Sequence, residues 1–166
     1  MPQDIDIAQF FASMIVIFFA IGIHEFAHCW FADAAGDPTP RSMGRVTLNL
    51  FKHFEPVGTF MIVFTSLTGY GIGWGKAAPM NPARMDNPRR DFFFAVAAGP
   101  LSNVLQAAFF GFTIRVLAST GLLYKLPQFA IMLLFLGVFI NIGLFLFNLI
   151  PLGPLDGQWL VGLLLP

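Results

Sequence analysis

Long apolar runs alternate with short polar stretches along the chain, and the run lengths set the elements. Apolar residues dominate roughly 7–32, 92–118 and 127–150, and each run is long enough, at about 1.5 Å per helical residue, to cross about 30 Å of hydrocarbon. The pattern predicts three transmembrane helices. A fourth apolar run, 57–74, carries Gly58, Gly69, Gly71 and Gly73 together with three Thr and Ser66, a composition that weakens helical continuity. Just before it, Arg-Val-Thr-Leu-Asn-Leu-Phe at 45–51 alternates and is rich in β-formers, which predicts a short strand or hairpin.

Charge sharpens the picture of the fourth run. Arg41, Arg45 and Lys52 precede it, and Lys76, Arg84, Arg89 and Arg90 follow it. Loops rich in Lys and Arg stay cytoplasmic, so both flanks belong on one face of the membrane and the run is expected to be re-entrant. Irregular backbone at membrane depth then needs a protein-lined or wet pocket to satisfy its amides. The expected fold is an all-α membrane protein with a three-helix core, plus a re-entrant segment and a short strand or hairpin between the first two helices.

Composition agrees. The 166 residues are 57% hydrophobic and only 11% charged, with a mean hydropathy of +0.74, far from a soluble domain. Net charge is zero and the basic residues lie between apolar runs rather than in one patch, which argues against nucleic acid as a partner. The single Cys29 reads as a small apolar filler. The start, MPQDIDIAQF, lacks the basic region of a secretory signal, so the first run is expected to be retained. With no linker or repeat in view, residues 1–166 are expected to form one membrane-embedded domain. The final stretch, GQWLVGLLLP, is apolar but too short to span, which leads us to expect a chain truncated at Pro166.

The candidate chemistry lies late in the first run. His24-Glu25-Phe26-Ala27-His28 puts two imidazoles on one helix face, about 40° apart, a geometry suited to a metal ion, with Glu25 beside them to take a proton from an attacking water. The motif also occurs by chance on solvated helices. Within a membrane span, two His and a Glu cost several kcal/mol unless paired or metal-bound, which favours function. Catalytic zinc commonly takes three protein ligands and one open position. Asp156, in a stretch broken by Pro151 and Pro154, is the candidate third ligand; a turn-forming Asp before Gly157 is the alternative. If all three meet one Zn²⁺, the first and third spans must run in the same direction, leaving one full crossing between them. That requirement again makes the run at 57–74 re-entrant. His53, in Lys52-His53-Phe54-Glu55-Pro56, is either a surface or pH-sensitive loop group or a metal or substrate contact.

Several blocks in order extend this picture. HEFAH, GRVTLNLFKHFEPVGT, GWGKAAPMNP, AAGPLSN and NLIPLGPLDG together resemble the site-2 protease family of intramembrane zinc proteases over nearly the whole chain, in a compact form with no inserted peptide-binding domain. The resemblance implies His24, His28 and Asp156 as zinc ligands and Glu25 as the catalytic carboxylate. Gly99-Pro100-Leu101-Ser102-Asn103 matches the family's Gly-x-x-x-Asn element, and Asn148 matches the Asn that opens its last block. Either amide is a candidate to orient substrate or stabilise an oxyanion; close helix packing is the alternative for 99–103. Glu55 stands where the family often carries Asp.

The function expected is zinc-dependent hydrolysis of peptide bonds within or near transmembrane segments of other proteins, in a bacterial or archaeal cell membrane with the active site toward the cytoplasm. A metal-binding membrane transporter or sensor without proteolytic activity is the alternative. Nothing in the sequence sets the oligomeric state.

Overall fold

The computed structural model describes residues 6–68 and 73–165; Gly69 and Gly71 of the glycine-rich run lie outside them. The first helix, α1 (Ile7–Ala34), is capped by Asp6, whose carboxylate accepts from the amides of Ala8 and Gln9. It is followed by the short α2 (Thr39–Ser42), a 3₁₀ turn at Leu50–His53 and α3 (Pro56–Thr68). Then come α4 (Pro88–Ser119), α5 (Gln128–Asn148) and α6 (Asp156–Leu164). All the regular structure among the described residues is helical.

Helices α1, α4 and α5 are each long and apolar enough to cross a membrane, at or near the expected positions, and their length and composition are those of an integral membrane protein. Pairings give their directions. His24 and His28 on α1 meet Asn103 and Ala95 on α4, so those two helices are antiparallel. Asn103 meets Asn141 on α5, and Phe110 meets Gly137, so α4 and α5 are antiparallel too. Helices α1 and α5 therefore run the same way, as the shared ion required, with α4 as the crossing between them. At 13 residues, α3 is about 20 Å long and too short to span. Glu55 caps it, its carboxylate accepting from Val57 and Gly58.

No strand forms at 45–51. Thr47 Oγ1 accepts from Asn49 N at 3.1 Å, and the Asn49 carbonyl accepts from Lys52 N at 3.0 Å. These local bonds close turns that compete with a ladder and override the alternating pattern. Buried Arg45 instead ties the segment to the extended residues that follow the glycine-rich run, donating to the carbonyls of Lys76 and Ala77.

The chain leaves α5 through residues 149–155 and folds back as α6. A β-carbon at Gly157 would collide with the carbonyls of Leu149 and Ile150, so the tight return requires glycine there. Leu160 and Leu163 of α6 pack on the cluster of Ala32, Met85, Phe92, Ala95 and Val96, and Trp159 meets Phe92 edge to face at 5.8 Å. That packing fixes where α6 begins, and it begins with Asp156.

Candidate metal centre

The centre is built from two helices and the start of a third. Spacing of four on α1 places His24 and His28 one turn apart, with Nε2 atoms 3.0 Å from each other. Asp156 Oδ2 lies 3.1 Å from His24 Nε2 and 3.3 Å from His28 Nε2. Both imidazoles are buried. These three residues can hold a metal ion.

The rear faces of the rings decide what the front faces can do. His24 Nδ1 stands 2.7 Å from Asn103 Oδ1, and His28 Nδ1 stands 2.8 Å from the Ala95 carbonyl. Both partners are acceptors, so each imidazole carries a proton on Nδ1, and in its neutral, metal-binding form turns a bare Nε2 inward. Asp156 Oδ2 is buried and finds no hydrogen-bond donor. Three lone pairs thus converge within 3.3 Å, an arrangement that repels itself unless positive charge sits among them. One cation satisfies all three at once. Two imidazole nitrogens and one carboxylate oxygen are the donor set of a catalytic zinc site with one position left open.

Gly99 leaves the space. A β-carbon on it would stand 2.8 Å from His24 Nε2 and nearer still to His28 Nε2. Two residues of the Gly-x-x-x-Asn element therefore act directly on the imidazoles, Gly99 by clearance and Asn103 by hydrogen bonding. Pro100, between them, donates no hydrogen bond to the Val96 carbonyl.

Glu25 lies on the same helix, and its Oε2 is buried without a hydrogen-bond partner. Its other oxygen faces Gly75, where a β-carbon would come within 3.2 Å. An unpartnered buried carboxylate oxygen is costly for a structural role and useful for accepting a proton.

The remaining sequence candidates divide. Asn103 is fully buried and both its amide hydrogens are engaged, by Asn141 Oδ1 at 2.9 Å and the Ala20 carbonyl at 3.4 Å. Asn148 is half-buried and gives one amide hydrogen to the Leu144 carbonyl at 2.9 Å within its own helix. His53 is not brought to the cluster. It is buried in the loop, with Nε2 on the Thr47 carbonyl at 3.0 Å and Nδ1 3.5 Å from Arg45 Nη2. Burial, aided by the Arg45 charge and opposed by the Thr47 carbonyl, holds its pKa below the ordinary histidine value. Cys29 is buried and free, as a filler should be. Sequence reasoning did not single out Asn141. The signal for it was an amide in the interior of a 21-residue apolar helix whose other two amides, Gln128 and Asn148, are its end residues; an unpaired polar group there is expensive.

No family model and no solved structure matches the chain. A curated relative does: "Putative zinc metalloprotease YwhC" of Bacillus subtilis (strain 168) is 37% identical over 156 residues, covering 92% of this chain and 68% of the relative.

Proposed function

The chain belongs to the zinc metalloprotease family of that Bacillus subtilis relative, and from this premise we propose that it is an intramembrane endopeptidase of the site-2 type. The observation that carries the proposal is the convergence of His24, His28 and Asp156 within 3.3 Å, the two His on a helix of spanning length, with the unpartnered Glu25 carboxylate on that same helix. The substrate class is a transmembrane segment of another protein, cleaved at a peptide bond within or near the bilayer.

In this proposal His24, His28 and Asp156 hold one zinc ion, whose chemistry is to polarise the scissile carbonyl and acidify a water. Glu25 takes the proton of the attacking water and returns it to the leaving amine. Asn148 keeps one amide hydrogen uncommitted and is therefore the freer of the two amides to steady the developing oxyanion. Asn103, with no hydrogen to spare, orients His24. A helical substrate must unwind to expose its carbonyl, which favours segments containing Gly, Pro or Asn.

Arg41, Arg45, Lys52, Lys76, Arg84, Arg89 and Arg90 lie along the chain between the end of α1 and the first turn of α4, so the positive-inside rule favours a centre toward the cytoplasm of a bacterial membrane. With both flanks of α3 on that face, α3 is read as a re-entrant wall. Transport or sensing of a metal is not favoured, since neither needs an unpartnered carboxylate beside the ligands.

The test uses wild type and Glu25→Gln in detergent or liposomes, with a transmembrane reporter as substrate. Equal zinc in both proteins, with cleavage by wild type alone, supports the proposal. Zinc without cleavage by either protein contradicts it.

A further inference from the structure

Three helices meet at one chain of hydrogen bonds in a buried core. Asn141 on α5 is fully buried and donates from Nδ2 to the Gly137 carbonyl at 2.8 Å. A carbonyl only accepts, so Asn141 must turn its nitrogen toward Gly137 and its Oδ1 toward α4. That oxygen takes a hydrogen bond from Asn103 Nδ2 at 2.9 Å. Asn103 is thereby set with Oδ1 facing His24 Nδ1 at 2.7 Å, and an amide oxygen cannot donate. A neutral His24 is left with its proton on Nδ1 and its Nε2 bare.

We infer that Asn141 is a positioning residue that fixes the tautomer of His24 through Asn103, keeping Nε2 of His24 open to the ion. The inference rests on His24 being a metal ligand. Its force comes from where the relay starts: a helix carbonyl cannot rotate, whereas each amide taken alone can. Without Asn141, Asn103 keeps only the Ala20 carbonyl at 3.4 Å as a partner for its nitrogen. Its amide can then rotate and present Nδ2 to His24, moving the imidazole proton to Nε2, the atom the ion needs. His28 has no such dependence, since its Nδ1 gives its proton straight to the Ala95 backbone. One imidazole is oriented by main chain, the other by a chain of side chains that substitution can dismantle.

The packing around the relay fits this role. A β-carbon at Gly137 would overlap the Phe110 ring, so glycine lets α5 approach α4 at the turn from which Asn141 reaches Asn103. Small residues serve this purpose between membrane helices. Asn141, Asn103 and His24 thus form one line of donors and acceptors across α5, α4 and α1, and outer partners of this kind orient metal-binding imidazoles generally.

Nitrogen-15 NMR of histidine-labelled, metal-free full chain in micelles reads the tautomer, and zinc titration reads affinity. Wild type is expected to show His24 protonated at Nδ1. Asn141→Leu should give mixed tautomers at His24, an unchanged signal at His28, and zinc binding weakened about 10–100-fold. Asn141→Asp should restore both, because a buried neutral carboxyl can donate to Gly137 and accept from Asn103. An Nε2-protonated His24 in wild type overturns the inference whatever the variants do, as does a wild-type tautomer and affinity in a folded Asn141→Leu. Failure of wild type to bind zinc would instead overturn the metal-site proposal, and the metal-free spectra would still decide the relay.

Discussion

His24 Nε2 and Asp156 Oδ2 lie 3.1 Å apart, although one residue sits late in the first long helix and the other opens the last short one. The contact depends on α1 and α5 running parallel and on a chain that folds back at Gly157. It also depends on empty space at Gly99, from which the first prediction follows.

Gly99→Ala should displace the imidazoles and abolish stoichiometric zinc binding, whereas Gly111→Ala on the same helix should be tolerated. Nothing lies within 4 Å of a β-carbon at Gly111, and alanine there gains about 0.5–1 kcal/mol of helix stability. Metal analysis and thermal denaturation of the two variants check this. Equal zinc in both would contradict the clearance argument.

Glu55 caps α3 through the amides of Val57 and Gly58. Glu55→Ala should cost about 1 kcal/mol of local stability, seen as faster hydrogen exchange in the first turn of α3, and Glu55→Asp should recover most of it. Exchange that is unchanged in Glu55→Ala would remove the capping role.

Protonating His53 would place a second positive charge against Arg45. Its folded-state pKa is lowered by burial, with the Arg45 charge adding and the Thr47 carbonyl opposing, so the folded state takes up that proton less readily than the unfolded chain. The stability this contributes is fully present above about pH 6.5, the ordinary histidine value, and is lost as pH falls through the folded value. The melting temperature of wild type should therefore drop more steeply on acidification than that of His53→Gln. Parallel profiles would sink this account.

Much of this was legible in the residues. Apolar runs of spanning length announce membrane helices because no other structure hides so many apolar groups and satisfies its own backbone. The pair His24 and His28 was legible from helical spacing, and Asp156 from the need for a third ligand beyond a proline-broken helix. The segment at 45–51 misled because alternation reports only an intrinsic preference, and the hydroxyl of Thr47 and the carbonyl of Asn49 closed turns instead. The partners of Asn141 and Arg45 were illegible for a different reason: they stand on other elements, which spacing along one element does not encode. Asn103 was visible as part of a motif, but its commitment to His24 emerged only when both its amide hydrogens were traced.

The central claim is that His24, His28 and Asp156 hold one metal ion together. Zinc content per chain, measured on purified wild type, His28→Ala, Asp156→Ala and Glu25→Gln, tests it most directly. The account predicts about one zinc in wild type and in Glu25→Gln, and loss of stoichiometric zinc in His28→Ala and Asp156→Ala. A full complement of zinc in Asp156→Ala, or none in wild type, would contradict it.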